Sequence, residues 1–116
     1  MLYRIGTKKE MATIQSKVPE RVLTEVLRDV VILDAEYGVD RDYLSWGGYS
    51  LIAETAGDVN QAIESIGLSN PCEWVTRVGH TEWISVLYLL NDDYAIVLFA
   101  PESAMPTSIL NELEGQ

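Results

Sequence analysis

The sequence predicts an α+β fold, a mostly antiparallel sheet of about four to five strands with a long amphipathic helix across one face. Three observations lead there. Trp83–Leu90 and Tyr94–Ala100 are apolar runs of strand length, joined by Asn91-Asp92-Asp93, which is the chemistry of a hairpin turn. Residues 19–37 place apolar side chains at helical spacing between Pro19 and Gly38. The short segments Leu2–Ile5, Tyr49–Glu54 and Glu73–Val78 have strand length and composition rather than a helical period. With 116 residues there is room for one domain over 1–116, in the order β-α-α-β-α-β-β-β-α.

Each element has a local reason. Leu2–Ile5 is a first short strand, and Thr7 with Glu10 has the spacing of a capping box, expected to open a helix with Met11, Ile14 and Val18 inward. In the long helix Val22, Val26, Val30, Leu33 and Tyr37 share a face that Leu23 and Leu27 widen. Asp34 falls at the edge of that stripe, while Val31, Ile32 and Ala35 lie off it and offer a homodimer face. After the strand Tyr49–Glu54, Thr55 and Asp58 repeat the capping signature. Val59, Ala62, Ile63 and Ile66 then form an apolar stripe that ends at Gly67. Ser69-Asn70-Pro71 makes a turn into Glu73–Val78, and Gly79-His80 ends that strand. The two apolar runs that follow are hydrophobic on both faces, so their hairpin belongs at the centre of the sheet with helices against it. Pro101 is expected to end the second run, and residues 106–114 form a last helix with Ile109, Leu110 and Leu113 inward.

Composition limits the function. Eight basic against eighteen acidic side chains give a net charge of −10, which opposes binding to a phosphate backbone and favours a basic partner. Cys72 is the lone cysteine, so no intramolecular disulfide forms, as suits a reducing compartment. The opening residues Met1–Gly6 lack the basic-then-apolar pattern of a secretory signal. The longest apolar runs are far below the ~20 residues of a membrane-spanning helix. The expectation is a cytoplasmic protein with no membrane and no direct nucleic-acid contact.

Catalytic motifs are sparse. Cys72 and His80 form the one candidate nucleophile–base pair, with Glu73 or Glu82 to orient the imidazole, but no positive charge stands beside the thiol to activate it. A small semi-buried cysteine and a turn histidine account for both far more readily. Asp40, Asp42, Asp92 and Asp93 offer oxygen ligands without the loop of a calcium site, so no metal is expected. Neither phosphate-binding glycine loop occurs, and no cofactor is expected. The chain reads as a binding protein more readily than as an enzyme, with no catalytic residue assigned.

The richest recognition chemistry is the segment Asp40–Tyr49. It gathers Asp40, Arg41, Asp42, Tyr43, Trp46 and Tyr49, and Trp74 and Trp83 add two further acid–aromatic pairs. Aromatic residues and Arg are the types enriched at binding hot spots. The alternative is that these rings turn inward and cap the core. The stretch Ala35–Glu54 together with Leu87–Ile96 resembles a group of small acidic bacterial proteins of unassigned activity, often carried on mobile elements. That resemblance implies a biological context and transfers no catalytic residue.

Three functional readings follow. The first is a non-enzymatic module that engages a basic protein, as an immunity protein, anti-restriction factor or nucleic-acid mimic does. The second is a ligand-binding domain or small enzyme with its pocket beside residues 38–49. The third is a homodimeric structural subunit.

Overall fold

Two strands without a polar face set the centre of the molecule. β4 (Trp83–Leu89) and β5 (Tyr94–Pro101) pair antiparallel in one register, from Trp83 opposite Pro101 to Leu89 opposite Ala95. The computed structural model describes residues 1–6, 8–37, 47–67, 72–89 and 94–114, with positions 8, 29–37, 47, 94 and 114 described by backbone alone. Five strands form one mixed sheet in the order β1-β2-β5-β4-β3. β1 (Leu2–Ile5) and β3 (Trp74–Arg77) are the edges, each only four residues long, which limits the unpaired backbone that an edge exposes. β2 (Gly47–Ala53) runs antiparallel to β1 but parallel to β5.

Strand alternation sends two sets of side chains to opposite faces. On one face Leu51, Val75, Ile84, Val86, Tyr88, Ile96 and Leu98 are buried. They meet Val59, Ala62 and Ile66 of α2 (Ala56–Ile66) and Ile109 of α3 (Thr107–Glu114). On the other face Ile5, Ile52 and Phe99 pack with Ile14 and with Val22 and Val26 of α1 (Glu20–Tyr37). The helices therefore cover the sheet from both sides, the arrangement that strands apolar on both faces demand.

Local chemistry explains the helix ends. The Thr55 hydroxyl accepts the Asp58 amide, and the Asp58 carboxylate accepts the amides of Glu54 and Thr55 in return, a complete capping box on α2. Gly67 closes that helix at φ 114°, a backbone that favours glycine.

One expectation is corrected. The segment after β1 is a 3-10 helix over Lys8–Thr13 rather than an α-helix, and the Glu10 carboxylate reaches back to the Gly6 amide. Pro19 disfavours helical backbone at the residue before it, so few residues remain and the chain tightens into short turns. Pro101 ends β5 as expected, as its last residue opposite Trp83, and beyond it the Glu102 amide donates to the Glu82 carbonyl. The expected turns at Ser69–Pro71 and Asn91–Asp93 lie outside the described residues, as do the helix exit at Gly38 and the side chains of Val31, Ile32, Asp34 and Ala35.

Candidate functional site

α1 packs over Ile5, Ile52, Trp83 and Phe99, while among the described residues the outer part of the same face at β3 and β4, Trp74 and Leu89, stays exposed. Between the helix and those strands runs a trough of about 360 Å³. Its wall is one stripe of α1, Arg21, Glu25 and Arg28, residues spaced so that they share a helix face. Its floor is Thr76 and Ser85, cross-strand partners, with Leu87, Val97 and Phe99. Trp74 stands at the rim opposite Leu87 in register, and its side chain is 58% exposed. Leu89 continues the same strand face and is half exposed. β3, β4 and β5 together thus present an indole, two hydroxyls and apolar surface beside two guanidinium groups.

The wall is electrostatically ordered. Glu25 sits between the arginines, 2.9 Å from Arg28 Nη2 and 3.8 Å from Arg21 Nη2, and is far less exposed than either. Exposed pairs of this kind contribute little stability. Their effect here is positional, since one carboxylate holds two guanidiniums over the trough and cancels one of their charges. Arg77 also borders the trough, but its guanidinium is paired elsewhere. Alternation turns its side chain to the opposite face, where its two terminal nitrogens each donate to Glu102 at 3.2 Å.

Charge is unevenly divided along the chain. Residues 1–41 hold seven basic and seven acidic side chains, whereas 42–116 hold Arg77 alone against eleven acids. The whole net charge therefore belongs to residues 42–116, which build β2–β5 as well as α2 and α3. Neither helix carries a Lys or Arg, and Glu64 and Glu112 are exposed on them.

Of the residues expected to form one recognition surface, Tyr49, Trp74 and Trp83 are described, and these three do not meet. Asp40, Arg41, Asp42, Tyr43 and Trp46 lie outside the described residues. Tyr49 is half-buried on the α2 face, where the Arg4 guanidinium covers its ring at 4.1 Å. Trp74 is at the rim of the trough on the other face. Trp83 packs into the core beneath α1, 8% exposed, so its indole supports the fold rather than a partner contact. Residues 38–46, beside which a pocket was anticipated, lie outside the described residues, and the trough is a separate feature beside the N-terminal half of α1. Reading α1 for its apolar stripe alone passed over Arg21, Glu25 and Arg28, whose spacing was the available signal.

Cys72 and His80 are at opposite ends of β3. The strand between them spans roughly 10 Å at the usual rise per residue, beyond hydrogen-bond reach. Cys72 packs on the α3 side, where burial, with help from the Glu112 charge, pushes its thiol pKa up. A thiol held protonated is a poor nucleophile.

Among the described residues, no group of three or more His, Cys, Asp or Glu side chains is placed to hold a metal ion, and no helix is long and apolar enough to cross a membrane. Compared with protein-family models, curated proteins and solved structures, the chain matches none.

Proposed function

We propose that this protein is a non-enzymatic binding module that engages a basic protein through the acidic layer of α2 and α3. The observation that carries this reading is the segregation of charge, with residues 1–41 neutral and the rest of the chain holding the entire −10. A charge spread evenly over the surface would serve solubility alone. The exposed Glu64 and Glu112, on helices that carry no Lys or Arg, contribute a field that steers a cationic surface toward them. An immunity protein, an anti-restriction factor and a nucleic-acid mimic all require such a face. The proposal places the protein in the cytoplasm of a bacterium, where a single half-buried thiol needs no oxidising partner.

The test uses the tagged protein as bait in lysate of its host, beside the variant Glu64→Lys/Glu112→Lys. Both positions are exposed, so the exchange should leave the fold intact, which circular dichroism checks. A basic protein held by the wild type at low salt is expected to be lost with the variant. It should also be lost near 1 M salt, where the Debye length falls to about 3 Å. A partner retained equally by both chains would overturn the proposal.

A further inference from the structure

We infer that the trough between α1 and the outer part of β3 and β4 is a binding site for a small aromatic monoanion, a planar ring system bearing one carboxylate. It lies on the face of the sheet opposite α2 and α3, so it stands or falls independently of the acidic-layer reading.

Size comes first. At about 360 Å³ the trough falls at the small end of the range for ligand pockets, enough for a fused ring and one polar group. A partner helix, about 10–12 Å across with its side chains, needs a wider bed than one helix wall and the outer part of β3 and β4 provide. Shape is supplied by Trp74, an indole kept largely in solvent next to Leu87 and therefore free to stack on a flat ring. Burying that indole under a ligand removes exposed apolar surface that the fold leaves uncovered.

Charge selects the rest of the ligand. The described side chains lining the trough carry Arg21 and Arg28 against Glu25, an excess of one positive charge. A single carboxylate neutralises that excess, whereas a doubly charged phosphate would leave an unmatched charge over an apolar floor. Each guanidinium has five donors, and Glu25 occupies only part of them, so both can still donate to an incoming carboxylate. The remaining acidity of the chain does not prevent this, because charges more than about 8 Å away are largely screened at physiological salt. Thr76 and Ser85 place hydroxyls on the floor that can accept or donate to a ring substituent.

The probe is 2-naphthoate, titrated into the full chain and followed by the indole N–H signals and backbone amides in NMR spectra. Naphthalene-2-methanol, the same ring without the charge, serves as the control. Saturable shifts are expected at Trp74 and at amides of 76, 85 and 87, with Trp83 affected less. Arg28→Gln and Trp74→Ala should each weaken binding by about tenfold, the factor that one charge-assisted hydrogen bond or one stacking contact provides. Both side chains are exposed, and dispersed spectra will show that the variants remain folded. Arg21→Gln/Arg28→Gln provides a second reading if either single variant fails to fold. The inference is overturned if no saturable shift appears at millimolar probe. It is also overturned if the neutral alcohol binds as tightly as the acid, or if the shifts map to another surface.

Discussion

Arg21 lies across Gly79 so closely that a Cβ built on the glycine would stand 2.9 Å from Arg21 Nε and 3.2 Å from its Cγ. Gly79 also has φ +55°, so the turn after β3 needs glycine both for its backbone and for the arginine above it. Gly79→Ala is expected to lower stability by about 1–2 kcal/mol through the left-handed backbone. The arginine contact adds less, because the side chain can swing away. Combining Gly79→Ala with Arg21→Ala separates the two, since the part that disappears in the double variant belongs to the contact. Thermal melts of the four chains measure it, and a full loss of the cost in the double variant would refute the backbone explanation.

Asp58 joins the capping box of α2 to the N-terminal ammonium, which it meets at 2.7 Å. That ammonium, ahead of the amides of Glu54 and Thr55 and the Thr55 hydroxyl, holds its carboxyl below the usual range, although partial desolvation opposes them. A depressed folded pKa gives stability that is present above the unfolded value, near 3.9, and is lost as pH falls through the folded one. Thr55→Ala should cost about 1 kcal/mol at neutral pH. Asp58→Asn should also destabilise at neutral pH, but its difference from the wild type should vanish in acid. Urea melts at pH 7 and pH 2.5 test this, and a difference that persists in acid would show that the charge is irrelevant.

Tyr88 is the alkaline counterpart. Burial, with a smaller part from Cys72, pushes its phenol up to about 12. A raised folded pKa gives stability that is intact below the unfolded value, near 10, and declines as pH rises toward 12. Tyr88→Phe should therefore flatten the loss of stability between those values. Absorbance at 295 nm should show a late-titrating phenol near pH 12 that Tyr88→Phe removes. An unchanged high-pH titration in Tyr88→Phe would refute this.

Ser50 is buried on the sheet face beneath α1, and its hydroxyl finds no hydrogen-bond partner among the described residues. A buried hydroxyl without a partner costs about 1–3 kcal/mol of desolvation. Ser50→Ala removes that cost and only a small volume, so the variant should melt at or above the wild-type temperature. A clear loss of stability would mean that the hydroxyl is bonded.

What the sequence could reveal was governed by range. The capping box at Thr55 and Asp58 and the stop at Gly67 are contacts within a few residues, so their chemistry is written beside them. The apolar runs of β4 and β5 likewise announce a central position. The parallel pairing of β2 with β5 brings together residues more than forty positions apart, and no local pattern encodes a partner at that distance. The same limit concealed the trough. Hydrophobic periodicity tells which side chains want cover, but the extent of α1 over the sheet decides which of them receive it. Ser85 and Thr76 were the local sign that one face of the β3–β4 pair is less deeply buried. The eight-to-eighteen charge balance was plain from composition, and so was its concentration after residue 41, whereas the place of Glu64 and Glu112 on exposed helix surface required the structure.

Glu25 provides a sharper test of how the trough works than either arginine. Its carboxylate cancels one of the two guanidinium charges and competes with any anion for their donors. Glu25→Gln keeps the size and some of the hydrogen bonding while doubling the net charge of the lining. Stability should change by less than about 1 kcal/mol, because the pairs it loses are partly solvated. Affinity for 2-naphthoate should rise several-fold, and the gain should shrink as salt is added, since the new charge faces water. The opposite result, weaker binding in Glu25→Gln, would mean that the carboxylate is needed to hold Arg21 and Arg28 in place. Gly79→Ala distinguishes these cases, because it displaces Arg21 while leaving Glu25 untouched. Weakened binding in both variants would make arginine placement decisive, whereas a gain in one and a loss in the other would make net charge decisive.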